Sequence, residues 1–304
     1  MSAEGSKKAI IAALAANAGI AVAKFVGFAI TGSSSMLAEA VHSVADTSNQ
    51  GLLLLGQREA AKSANRLHPF GYGRSRYFYS FVVALVLFTL GSLFALYEGY
   101  EKIVHPHELE SPIVAVVILV LAICLEGYSF STAYRESRPL KGSASWWRFI
   151  RNSRNPELPV VLLEDTGALI GLAFALGGVG LATITGDAVW DGIGTMAIGI
   201  LLGVIAIILI VEMHSLLIGE GATASDEKTL MTALGSEAGI DRVIHMKTQY
   251  LGPDELLVAA KFATPAGASA LQIADTINSA EAKIRETLPI ARVIYLEPDI
   301  DRGM

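Results

Sequence analysis

"AEAVHSVADTSNQ", residues 38–50, places two carboxylates, an imidazole and two amides in the middle of an oily stretch. Glu39, His42, Asp46 and Asn49 follow one another at i, i+3, i+7 and i+10, so on an α-helix they line one face. His42 and Asp46, one turn apart, have the donors to share a single divalent cation, because imidazole nitrogen with carboxylate oxygen suits zinc and its neighbours. The plainer alternative is a His–Asp hydrogen bond that only holds helices together. Depth decides between them. An ionisable residue in the bilayer costs about 2.5–3.5 kcal/mol on insertion scales, so one kept there points to function.

The surroundings of this stretch supply that depth. The 304-residue chain is 52% hydrophobic and only 17% charged, whereas a soluble domain averages about a quarter charged residues. Spanning hydrocarbon takes about 20 mostly apolar residues. Six segments qualify: 9–31, 34–56, 77–101, 112–134, 158–183 and 188–218. The N-terminus and the loops 57–76 and 135–157 carry two, five and six Lys or Arg residues, against Lys102 alone in the intervening loops. The positive-inside rule then sets both termini in the cytoplasm. "MSAEGSKK" leads into an apolar segment with no cleavage pattern, so no cleaved leader is expected. One cysteine, Cys124, excludes a disulfide framework and is expected to be a buried spectator. With a net charge of −6 and its basic residues in loops, the chain is not expected to bind nucleic acid.

After Gly219 the pattern changes. Residues 223–238 read as a helix, "DRVIHMKTQYL" and "ELLVAAKFAT" as strands joined by a "GPD" turn, 268–288 as a helix, and "ARVIYLEP" as a strand. The predicted architecture is therefore an α-helical membrane protein. Six transmembrane helices (1–218) precede a small cytoplasmic α+β domain (219–304) of ferredoxin-like α-β-β-α-β order. That second part is short for an independent core, which favours dimerisation through it.

Two ligands on one helix cannot complete a tetrahedral shell. The fifth span, "VVLLEDTGALIG" (160–171), offers Glu164 and Asp165, adjacent in an otherwise apolar run. Consecutive helical residues point about 100° apart, so one of the two is expected to face a metal squarely. Glu126 in "AICLEGYSF" either belongs to the pathway or braces it. Lys24 either pairs with an acidic neighbour or snorkels. Asp187 and Asp191 either cap the sixth helix or attract cations at its mouth.

"SSMLAEAVHSVAD" (34–46), "HPFGYGRSRYFY" (68–79) and "GDAVWDGIGTMAIGI" (186–200) resemble the cation diffusion facilitators, and the likeness covers nearly the whole chain. The resemblance implies a homodimeric secondary transporter, not an enzyme, that moves divalent cations from the cytosol across the bilayer in exchange for protons. It places the chain in the plasma (inner) membrane. Zinc is the favoured ion, with a manganese, iron or cobalt carrier as the alternative; no organic cofactor is implied. The family site takes two residues from the second helix and two from the fifth, each pair at i, i+4. His42 and Asp46 match the first pair. Asp165 matches one member of the second, but Val161 stands at the other position, so the fourth ligand is Glu164, Asn49, Glu126 or water. The loop metal site of some members keeps only His68, with Asn65 and Tyr72 in the other two places. In the cytoplasmic domain His245 matches a metal position, whereas Tyr295 and Glu297 depart from the pattern.

Overall fold

The structure is a computed structural model that describes residues 2–31, 34–106 and 112–300, with side chains described except at 2–3, 31, 34–39, 41, 42, 45, 112, 114 and 115. Its chain divides into two compact units, Met1–Arg58 with Arg76–His214, and Glu59–Ser75 with Ser215–Met304.

The first unit is helical: α1 (Ser2–Thr31), α2 (Ser34–Ala60), α3 (Ser75–Val86), a π-helical stretch (Leu87–Leu93), α4 (Phe94–Val104), α5 (Pro112–Lys141), α6 (Trp146–Asn152), α7 (Glu157–Thr185) and α8 (Val189–Ile218). Among the described residues five helical stretches are long and apolar enough to cross a membrane: Glu4–Ile30, Ser75–Val104, Val116–Lys141, Glu157–Thr185 and Val189–Ile218. The helix α2, at 27 residues, is also long enough, but its polar file lowers its apolarity. Gly186, at φ 70, ends α7 in the left-handed conformation that an L side chain resists. The helix α6 lies in the stretch expected to be loop; Ser145 starts it by accepting from the Arg148 amide.

Packing within this unit uses small residues, since lipid tails give no hydrophobic drive between helices. The helices α1, α5 and α7 pack against one another. A Cβ at Gly99 of α4 would sit 2.6 Å from the Met196 nitrogen of α8, and one at Gly199 would sit 2.8 Å from the Leu96 nitrogen. The π-helical stretch is tied to α8 where Ser92 Oγ donates to the Gly199 carbonyl (2.8 Å).

Polar contacts pin the helix ends. Arg76 and Glu157, both buried, form a two-pronged pair at 2.5 and 2.8 Å that joins the starts of α3 and α7. Nearby, Tyr77 Oη donates to the Arg154 carbonyl (3.2 Å), and Asn155 Nδ2 donates to Ser6 Oγ of α1 (2.7 Å). At the other ends Lys102 of α4 lies 3.0 Å from Asp191 of α8 and 3.2 Å from Glu98. Asp187 accepts from the Val189 amide (3.0 Å), which caps α8.

The second unit has α9 (Ala224–Gly235), β1 (Arg242–Gly252), β2 (Glu255–Ala263), α10 (Ala270–Thr287) and β3 (Ala291–Asp299), the expected α-β-β-α-β order. Its sheet order is β1-β2-β3, antiparallel then parallel, with α10 as the crossover that a parallel pair requires. Leu230, Leu234, Tyr250, Leu256, Phe262 and Ile284 lie in its core. A capping box of Ser269 and Gln272 opens α10. The segment Glu59–Ser75, from the last residues of α2 to the first of α3, belongs to this unit. Gly73 approaches the β1 end so closely that a Cβ there would lie 2.7 Å from the Leu251 carbonyl oxygen.

Cys124 is exposed on α5, which corrects its expected burial. On a spanning helix an apolar neighbourhood does not imply a protein interior, because lipid accepts the outward face.

Arg76→Ala would leave Glu157 buried without its partner, at an expected cost of about 3–5 kcal/mol. The thermal midpoint of detergent-solubilised protein should fall accordingly, and the double replacement Arg76→Met with Glu157→Leu should recover most of it. An unchanged midpoint in Arg76→Ala would contradict this.

Candidate metal-transport site

The acidic pair of α7 divides between two neighbouring helices. Glu164, 7% exposed, accepts from Asn49 Nδ2 at Oε1 (3.3 Å) and from Gln50 Nε2 at Oε2 (3.0 Å), both on α2. Asp165, 1% exposed, turns to α5, where Ser129 Oγ donates to its Oδ2 (2.7 Å). The divergence of consecutive helical side chains produces this split. Asn49 presents its NH2 group to Glu164, as an ionised carboxylate, which only accepts, requires. Its Oδ1 is left buried with no hydrogen-bond partner among the described residues. A buried orphan acceptor in a polar cluster is where an ion or water belongs.

Asp46 is half-buried on α2, one turn before Asn49 and Gln50. Glu126, buried on α5, interacts electrostatically with Asp165, Asp46 and Lys24, and Glu164 with Asp46, Asp165 and Glu126. Four acidic side chains from three helices therefore share one neighbourhood, with Lys24 as a neighbouring cation. The side chains of His42 and Glu39 lie outside the described residues, although the α2 backbone runs through both. Among the described residues no three His, Cys, Asp or Glu side chains come close enough to hold a metal ion.

The cation efflux transmembrane domain matches residues 10–218, more than half of the chain and all of this polar cluster. The chain belongs to the cation efflux family, the cation diffusion facilitators. It is thus a multi-pass integral membrane protein of a transporter family. The proton-coupled zinc antiporter SLC30A9, mitochondrial, of Homo sapiens is 32% identical over 252 residues, 82% of this chain and 44% of that protein. Metal tolerance protein C4 of Arabidopsis thaliana is 30% identical over 252 residues, 82% of this chain and 55% of that protein. Zinc transporter ZitB of Pectobacterium atrosepticum is 31% identical over 119 residues, 39% of this chain and 36% of that protein. The chain spans about half the length of the first two.

At two further candidate positions the described side chains bond to one another. In the loop after α2, Asn65 Oδ1 accepts from the Leu67 and His68 amides (both 2.9 Å) and its Nδ2 donates to Tyr72 Oη (2.7 Å). The His68 ring stacks on Tyr72 with centroids 4.4 Å apart. In the sheet, His245 of β1 pairs with Lys261 of β2, which in turn pairs with Glu297 of β3. Lys261 Nζ lies 2.9 Å from Glu297 and 3.1 Å from Asp299. Donation to those carboxylates holds the Lys261 ammonium above its ordinary pKa, so a fixed positive charge stands between His245 and Glu297.

Gln50, Asn17 and Ser129 were not among the residues that spacing picked out. Gln50 follows Asn49 directly in a helix of apolar turns, which was the available signal. Ser129 had none beyond its place one turn after Glu126.

The ammonium row carries a test. Zinc titrated calorimetrically into full-length protein carrying Asp46→Ala and Asp165→Ala should show no tight site. Stoichiometric binding abolished by His245→Ala would contradict that.

Proposed function

We propose that this chain is a secondary transporter that carries divalent cations, zinc first, out of the cytosol in exchange for protons. The carrying observation is the buried Asn49–Glu164 contact between α2 and α7, with Asp165 beside it and Asp46 one turn away, inside the family-matched region. His42, Asp46 and Asp165 are the proposed ligands, and Glu164 or Asn49 the fourth. Metal needs a neutral imidazole and ionised carboxylates, so protons compete with it. Apparent zinc affinity should therefore rise with pH as these groups lose their protons. The names of the human and Pectobacterium relatives, a zinc antiporter and a zinc transporter, favour zinc. A manganese, iron or cobalt carrier is the second reading, favoured by the all-oxygen character of Asp46, Asn49, Glu164 and Asp165.

Lys and Arg distribution supports cytoplasmic termini. We place the chain in the plasma (inner) membrane; "mitochondrial" in a relative's name describes that relative. Residues 1–218 are the transport domain in this reading, and 219–304 a dimerisation domain through which the protein forms a homodimer. Metalloprotease chemistry has no H-E-x-x-H helix to run on, which supports a carrier over an enzyme.

Proteoliposomes loaded with a pH-sensitive dye test this reading. Zinc uptake should move protons the other way, and His42→Ala, Asp46→Ala and Asp165→Ala should each cut flux at least about tenfold without loss of folded protein. Near-normal flux in Asp46→Ala would contradict the site. Zinc movement with no proton signal would contradict exchange.

A further inference from the structure

Asn17 of α1 touches none of the proposed ligands, yet it ends a hydrogen-bonded chain that reaches one. Its Nδ2 donates to Gln50 Oε1 (3.3 Å), and Gln50 Nε2 donates to Glu164 Oε2 (3.0 Å). Asn17 is 7% exposed and Gln50 is fully buried, so water does not substitute for these contacts. In the ionised form that would hold a cation, the Glu164 carboxylate accepts only, so Gln50 turns its NH2 group towards it and its oxygen faces Asn17. A reversed Gln50 would set oxygen against oxygen and leave buried groups unpaired, which costs about 1–3 kcal/mol. Asn17 thus holds Gln50 the right way round.

The second effect is on Glu164 itself. Asn49 bonds one carboxylate oxygen and Gln50 the other. Two donors on two oxygens stop the carboxylate plane from rotating; either donor alone would leave it free to swing. A fixed plane offers lone pairs in set directions, which suits a four-coordinate ion such as zinc. A swinging carboxylate can turn both oxygens to one ion and raise the coordination number, which suits oxygen-preferring, octahedral manganese.

We propose that Gln50, oriented by Asn17, is a positioning residue that fixes the Glu164 carboxylate and so narrows the cations the site accepts. This rests on the reading of the Glu164 neighbourhood as the transport site.

The test uses the full-length chain in proteoliposomes, with zinc and manganese fluxes measured separately for wild type, Gln50→Met, Asn17→Leu and the double variant. The zinc-to-manganese ratio of kcat/KM should fall about tenfold in Gln50→Met, within the range seen when groups supporting a metal ligand are removed. It should fall less in Asn17→Leu. The double variant should match Gln50→Met alone, because Asn17 acts only through Gln50. Zinc and manganese fluxes that drop in parallel, or an unchanged ratio, would show a merely structural role and overturn the proposal. Losses that add in the double variant would overturn the relay. If Gln50→Met does not yield monodisperse protein, Asn17→Leu decides alone, by a lowered or an unchanged ratio. Wild-type protein that moves neither ion would sink the transport reading as well; wild type that moves zinc beside unaltered variants sinks only this inference.

Discussion

A carboxylate inside a membrane must find donors, and α7 has two of them in succession. Each costs a few kcal/mol to insert, and a charge-assisted hydrogen bond returns about 1.5–3. Each ionised carboxylate therefore needs at least one donor, and the neighbouring helices supply them. Because adjacent helical residues diverge, Glu164 draws on Asn49 and Gln50 of α2 while Asp165 draws on Ser129 of α5. Asn17 of α1 completes the set by orienting Gln50. One dipeptide thereby ties four helices to a single level, the level at which Asp46 and Glu126 also stand. Asn49 Oδ1 remains without a hydrogen-bond partner among the described residues, which supports the proposal of a cation site at this level.

The remaining contacts hold that level in place. Glu157 stands seven residues before Glu164 on the same face of α7, and Arg76 clamps it at the entry to the helix. Ser6 and Asn155 join α1 to the segment that leads into α7. At the opposite ends Lys102 links α4 to α8 through Asp191, and glycines let those two backbones meet. Substitution at the helix ends should therefore show first as lost stability, whereas substitution at the middle level should show as altered ion handling.

Much of this was legible in the sequence. Asp46 on α2, and Glu164–Asp165 in an apolar run, announced a polar level because charges at depth are costly enough to stand out; the expectation for the His42 side chain lies outside the described residues. Alternation and turn residues gave the α-β-β-α-β order to within a few residues. What escaped were neutral groups. Asn17, Gln50 and Ser129 carry no charge whose burial would flag them, and their partners lie 33, 114 and 36 residues away. Inclusion of Glu59–Ser75 in the second unit was equally unreadable. It depends on Gly73 meeting Leu251 and Gly252, a contact between distant segments that neither segment signals alone. Cys124 was misread for a different reason: hydropathy does not distinguish a face turned to protein from one turned to lipid.

The central claim, that this level is a nitrogen–oxygen site for a divalent cation, is tested most directly by X-ray absorption at the zinc edge on zinc-loaded, full-length protein. The expected first shell is about four nitrogen or oxygen donors at roughly 2.0–2.2 Å, with an imidazole signature that disappears in His42→Ala. A shell that contains sulfur, or a spectrum unchanged by removal of His42 and Asp46 together, would contradict it.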